Sequence, residues 1–167
     1  MLMYIKSWFE FFNEFPSSIA IRESIYVYPA LLTTHIIGMC VFAGLVIMMD
    51  LRLLGVGNLR TPVSQIQSKL FPWQLVGMVI SAATGLILVY TQPMRFWGNI
   101  FFWVKTTMML LASANVLAFH YGTYRSVASW DTSARVPFGA KLSSVVSLVL
   151  WSLVIISGRL IAYNWFQ

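Results

Sequence analysis

The sequence predicts an all-α integral membrane protein, a four-helix bundle preceded by a short amphipathic helix. Composition supports this prediction, because 59% of the 167 residues are hydrophobic and only 10% are charged. Soluble domains carry roughly 25% charged residues, so this chain lacks the polar surface that would cover a globule. It has enough apolar length for several segments of about 20 residues, the length that crosses a bilayer. We expect one domain over residues 1–167.

Four apolar segments are long enough to span the membrane, and an amphipathic segment precedes them. Within residues 1–15, Trp8, Phe9 and Phe12 recur on one helical face, as is typical of a helix that lies in the membrane interface. The predicted spans are residues 27–49, 70–90, 101–121 and 142–163. Aromatic residues gather at their ends, as expected at a membrane–water interface. The lipid bilayer is therefore the first predicted partner.

Basic residues predict how the chain is oriented. They give a net charge of +6 but stand at the ends of apolar segments, so we interpret them as membrane anchors and expect no nucleic-acid binding. Four spans place both termini on one side, side A, and the first and third loops on side B. Side A carries Lys6, Arg22, Arg95, Lys105 and Arg159, and side B carries Arg52, Arg60, Lys69, Arg125, Arg135 and Lys141. This small excess predicts that side B is cytoplasmic and that both termini are outside.

Small residues recur every four positions in the second span, at Gly77, Ser81 and Gly85. Such a face permits close approach of a neighbouring helix, which is the interpretation we favour. A flat macrocycle bound against this face is the alternative.

Four ionisable side chains lie inside the spans, where they are costly and suggest function. At ~1.5 Å per helical residue, His35, Lys105 and Arg159 fall in the half of the membrane nearer side A. His120 falls near side B, roughly 18 Å from His35 in depth. The two histidines are therefore not expected to ligate the iron of one haem.

A b-type haem is the cofactor that suits the side-A groups best. His35 would be an axial ligand, and cationic side chains would pair with the haem propionates. The candidates for that pairing are Lys105, Arg159 and Arg22. The second axial ligand stays open between Met108, at nearly the depth of His35, and Lys105.

Other roles for these residues remain open. Imidazole and thioether ligands from His35, Met39 and Met108 would suit copper(I). His120, close in depth to Asp50, could belong to a separate metal or proton-handling site, although an interfacial histidine is the simpler interpretation. His35 could also bond to a neighbouring helix, and the cationic side chains could extend to the membrane surface.

Short motifs along the chain resemble a known family. They include Thr34 to Gly38, Asp50 to Gly55, Phe71 to Trp73, Asn115 to His120, and Gly158-Arg159. Together they resemble an uncharacterised family of small bacterial four-helix membrane proteins, and the resemblance covers nearly the whole chain after about Pro16. It implies a bacterial inner-membrane location and no particular activity.

Two further motifs resemble the haem-binding protoporphyrinogen oxidase family. His35-Ile36-Ile37 resembles its histidine-bearing helix, and Trp103-Val104-Lys105 resembles a helix start that carries a lysine. The copper-resistance D family has a similar helical layout. The resemblance implies that His35 and Lys105 are a functional pair, but Trp103 and Val104 stand where the oxidase family has a histidine.

These observations lead to three functional hypotheses. The first is a haem-binding protein that transfers electrons at the periplasmic face to a periplasmic or membrane redox partner, as a redox subunit or an oxidoreductase. The second is a copper-handling membrane protein, and the third is a cofactor-free scaffold that docks a partner protein. The oligomeric state is open, and a homo-oligomer is one alternative.

Overall fold

The computed structural model describes residues 2–57, 60–131 and 136–163, with side chains described from residue 6 onward. Within these ranges the regular elements are helical and there is no β-strand, as the sequence predicted. The α-helices are α1 (Leu2–Asn13), α2 (Pro16–Glu23), α3 (Val27–Leu53), α4 (Val63–Thr91), α5 (Pro93–Trp97), α6 (Ile100–Tyr121), α7 (Val127–Trp130) and α8 (Phe138–Leu160). Short 3₁₀ segments occupy Thr123–Ser126 and Ile161–Tyr163.

The four predicted spans are confirmed in α3, α4, α6 and α8. Each is long and apolar enough to cross a bilayer, with mean hydropathy between 1.5 and 2.2 in the four spanning segments. The protein is therefore a multi-pass membrane protein. On side B, two helices extend beyond the predicted spans: α3 continues to Leu53, and α4 begins at Val63.

The bundle consists of two helical hairpins. α3 packs along α4, α6 packs along α8, and contacts between α3 and α8 join the two pairs. The α3–α4 contact is close: a Cβ atom on Gly77 would lie 2.9 Å from the backbone nitrogen of Phe42 and 3.1 Å from the carbonyl oxygen of Gly38. The small-residue face of the second span therefore packs against a helix, as predicted.

Two apolar clusters hold the hairpins together. The first lies toward side B and consists of Met49, Leu53, Val63, Trp130 and Ala140. The second lies deeper in the bundle around Ala112, Trp151 and Val154. The first cluster contains residues that flank the first and the third loop. The side-B ends of α3 and α4 are therefore packed against the segment that follows α6.

The N-terminal helices cover the side-A ends of α4 and α5. The ring of Phe9 lies 5.2 Å from that of Trp97, and the ring of Phe12 lies 5.8 Å from that of Tyr90. Trp8, at 63% exposure, lies on the outward surface of α1. The short helix predicted within residues 1–15 is thus present, with aromatic residues both toward the bundle and away from it.

Asp50 and Arg52, which follow the predicted first span, lie within the first spanning helix. α3 continues through both, and they are only 7% and 6% exposed. Arg52 tolerates burial because its Nη2 donates a hydrogen bond of 2.9 Å to the carbonyl oxygen of Thr61, in the first loop. Arg52 therefore links α3 to the first loop inside the protein and is not an anchor at the membrane surface. Arg135, also counted on side B, lies outside the described residues.

Asp131 joins the third loop to the start of α4. Its carboxylate accepts hydrogen bonds from the backbone N–H and the hydroxyl of Ser64, at 2.8 and 2.5 Å. The first N–H groups of a helix have no partner within the helix, and a carboxylate there also interacts favourably with the helix dipole. Asp131 thus caps α4 from a distant part of the chain.

Replacing Asp131 with alanine is expected to lower the free energy of unfolding by about 1 kcal/mol, the usual loss for a helix cap. Partial burial opposes ionisation, but the hydrogen bonds from Ser64 and Val63 and the charge of Arg52 outweigh it and hold the pKa of Asp131 below its usual value. The carboxylate therefore stabilises the fold above the unfolded-state pKa of about 3.9, and this contribution is lost as pH falls through the lower folded-state value.

Unfolding in detergent, followed at neutral and strongly acidic pH, measures this effect. Glu10→Ala is the matched control, because Glu10 is exposed and its ion pair with Lys6, at 3.5 Å, lies on the surface of α1. Equal stability of the two variants at neutral pH would refute the capping role.

Candidate functional site

His35 projects from α3 onto α4 in a defined orientation. Its Nδ1 lies 2.9 Å from the carbonyl oxygen of Ser81 and 3.2 Å from the hydroxyl oxygen of Thr84. A carbonyl oxygen only accepts hydrogen bonds, so Nδ1 carries the proton. In the neutral imidazole the lone pair is therefore on Nε2, which is left as a base or a metal ligand.

Gly85 makes room for this imidazole. A Cβ atom at Gly85 would lie 3.0 Å from Cε1 and 3.3 Å from Nδ1 of His35. The three small residues of α4 therefore have two different structural roles. Gly77 and Ser81 meet the α3 backbone, whereas Gly85 accommodates a side chain.

Lys105 is the charged group that the structure brings near His35. It extends from α6 along α8, where its Nζ would lie 3.7 Å from a Cβ atom on Gly158. Its ammonium is close enough to interact electrostatically with the imidazole. Lys105 is half-buried, and within the described part of the chain its ammonium takes part in no hydrogen bond or ion pair.

The other two predicted propionate partners are engaged elsewhere on side A. Arg159 is exposed, donates a 2.7 Å hydrogen bond to the hydroxyl of Tyr163 and stacks over its ring at 4.9 Å. Arg22 donates a 3.2 Å hydrogen bond to Asn13 in α1. The structure thus places Lys105 within electrostatic range of His35 and directs both arginines toward local partners.

Two methionines lie in the apolar cluster next to this site. Met39, one helical turn after His35, and Met108, from α6, both pack against the cluster around Trp151. Phe42 meets the Trp151 ring edge-on at 4.8 Å. The predicted second axial ligand Met108 therefore belongs to the bundle interior, in a cluster shared with the His35 helix.

His120 lies apart from these residues. It is exposed, and its ring stacks on Tyr124 with a centroid distance of 5.2 Å. The polar groups that act on Asp50 are instead Ser144 and Ser147. The structure does not bring His120 and Asp50 together, and no group of three or more His, Cys, Asp or Glu side chains occurs in the described ranges.

A groove between α3 and α4 encloses about 250 Å³. Its lining is almost entirely apolar and includes Thr34, Gly38, Trp73 and Gly77. Cofactor pockets usually have volumes of about 300–1,000 Å³ and contain a few polar groups, so this groove does not have the character of a cofactor site. The chemically distinctive groups are on the other helix faces, at His35 and Lys105.

Sequence reasoning missed the residues that orient His35. Ser81 contributes a backbone carbonyl and Gly85 an absence of side chain, so neither has a chemical signature. The four-residue spacing that includes both was the available signal, and it was interpreted as a helix-packing face, with a bound macrocycle as the alternative.

Comparisons with known proteins give one match. No curated protein and no solved structure matches the chain, so the resemblance to haem and copper proteins stays a prediction. One family model matches residues 22–164, which is most of the sequence. The chain accordingly belongs to DUF6644, a family of unknown function.

Proposed function

We propose that the protein binds a b-type haem in a bacterial inner membrane and transfers electrons near side A. The observation that supports this is the orientation of His35, whose Nδ1–H is bonded to the Ser81 carbonyl. Histidines that ligate metals characteristically donate the second ring N–H in this way, which fixes the tautomer and the ring position. Nε2 of His35 would then bind the haem iron.

Lys105 and Met108 are side chains of the kind that would hold a haem. Lys105 provides an ammonium without a partner in the described chain, and an unpaired ammonium inside a membrane protein is costly. A propionate would offset that cost with a charge-assisted hydrogen bond. Met108 would supply a second ligand to the iron, and iron held by histidine and a thioether occurs in haem proteins. When bound, the haem supplies a one-electron redox centre.

The chain's own residues hold and shield such a centre. Ser81 fixes the His35 ring, and Gly85 keeps the space beside it free. The apolar cluster around Trp151 and Val154 excludes water from the methionine side. Arg159 and Arg22, nearer the surface, would favour approach of an acidic redox partner from side A.

Detergent-purified protein from native expression is expected to show a Soret band that His35→Ala abolishes. His120→Ala is the control, because it removes the only other histidine, which is exposed and far from the site. It should leave the band unchanged. A wild-type protein without the band, or a band that survives His35→Ala, would overturn the proposal.

Copper handling is the second candidate. Met39 and Met108 pack in one cluster, and His35 precedes Met39 by one turn, so an imidazole and two thioethers could bind copper(I). Stoichiometric copper without a Soret band, lost in Met39→Leu, would favour it. Colourless, metal-free protein that tolerates His35→Ala would instead favour a cofactor-free scaffold.

We also propose that side B is cytoplasmic and side A periplasmic. Apart from the buried Arg52, the described cationic residues near the side-B ends of the spanning helices are exposed: Arg60, Lys69, Arg125 and Lys141. On side A, Lys6 is paired with Glu10. Positive charge retained on the cytoplasmic side supports this orientation. A phosphatase that is active only outside the cytoplasm, fused to the C-terminus, tests this orientation. An active fusion is expected, and a well-expressed but inactive fusion would indicate the opposite orientation.

A further inference from the structure

Asp50 places a carboxyl group in the seam between the two hairpins. It lies on α3, and the side chains that act on it are Ser144 and Ser147 of α8. Asp50 is 7% exposed, and the two serines are 1% and 4% exposed. One carboxyl oxygen, Oδ2, is buried and makes no hydrogen bond within the described part of the chain.

No cation of the described chain neutralises this carboxyl group. Arg52, two residues further along α3, directs its guanidinium to Thr61 and interacts with Asp131. His120 is exposed and stacks on Tyr124, and Lys141, near the start of α8, is exposed as well. A bare carboxylate in apolar surroundings is far more costly than a neutral carboxylic acid.

The hydroxyl oxygen of Ser144 is able to accept a hydrogen bond from the neutral acid. Its one hydrogen is used within α8, in a 3.0 Å hydrogen bond to the carbonyl oxygen of Ala140. The Ser144 oxygen therefore presents only lone pairs to Asp50. Lone pairs accept a hydrogen bond from a carboxylic acid and repel a carboxylate. Ser147 has its hydrogen free to donate to the other carboxyl oxygen.

We infer that Asp50 is a proton-binding site, a neutral carboxylic acid in the closed bundle that exchanges its proton with water on side B. Release converts the acid to a carboxylate, and the proton passes to water. The resulting charge lies between α3 and α8, the helices whose contact joins the two hairpins. Because Asp50 is only 7% exposed, release of its proton requires that water reach this contact. The inference does not depend on haem.

Infrared spectroscopy of the protein in liposomes tests this directly. At neutral pH the wild type is expected to show the carbonyl stretching band of a protonated carboxylic acid, which carboxylates lack. Asp50→Asn should remove the band. Asp131→Asn should retain it, because Asp131 is held as a carboxylate by Ser64. Absence of the band in the wild type, or its persistence in Asp50→Asn, would refute the inference.

A labelled sample gives the answer even if Asp50→Asn does not fold. Asp50 and Asp131 are the only aspartates in the sequence, so in Asp131→Asn a ¹³C-carboxyl aspartate label reports on Asp50 alone. The band must shift with the label. Thermal unfolding in sodium chloride and in choline chloride tests whether a metal cation occupies the site instead. Stabilisation by sodium that depends on Asp50 would mean that a metal cation, and not a proton, is bound there.

Discussion

Gly77→Leu is expected to separate α3 from α4 and abolish the folded bundle, whereas Gly44→Leu should leave it folded. Even the first carbon of a side chain at Gly77 would lie 2.9 Å from a backbone nitrogen and 3.1 Å from a backbone oxygen of α3. Backbone atoms cannot move aside as a side chain can, so the helices must part. Overpacking of a tight core costs about 1–3 kcal/mol, and a leucine at a backbone contact belongs at or above that upper end.

The matched control lies on the facing helix. A Cβ at Gly44 would meet nothing within 4 Å, so leucine there extends into open space, and its better helix propensity would add up to about 1 kcal/mol. Unfolding in mixed detergents, followed by tryptophan fluorescence and circular dichroism, compares the two variants. The close-packing assignment is refuted if both unfold at the same detergent fraction as the wild type.

The number and type of the spanning helices could be predicted because each depends on a local property, apolar length. That His35 and Lys105 fall in the same half of the bundle could also be expected, since depth along parallel helices follows from residue count. The contacts of Arg159 were not, because its choice between the bundle and Tyr163 depends on side-chain rotation at a helix end.

The side-B interior shows a different limit of sequence reasoning. Charged residues after an apolar run usually mark the membrane surface, and Asp50 and Arg52 fit that pattern. They are nevertheless buried, because Thr61 of the first loop, Asp131 of the third loop and two serines of α8 lie around the end of α3. Such burial depends on contacts between residues far apart in sequence, and hydropathy does not record these.

Gly85→Leu is expected to lower haem occupancy about tenfold or more, equivalent to about 1.4 kcal/mol or above, without removing any ligand. A Cβ at this position already approaches the His35 ring to 3.0 Å, so a leucine must displace the ring and break its bond to Ser81. Gly85→Ala, which needs a shift of only a few tenths of an ångström, should retain most of the haem. Gly44→Leu controls for added bulk in a spanning helix.

Two readouts separate the geometry from the proposed function. The Soret absorbance per protein measures haem occupancy, and ¹⁵N NMR of labelled histidine measures the protonation of His35 Nδ1 with or without haem. If the Nδ1–H signal moves in Gly85→Leu while the wild type shows no Soret band, the orienting role of Gly85 stands and the haem proposal fails. If the signal stays unchanged, the imidazole does not rest on Gly85, and the support for an oriented ligand at His35 is lost as well.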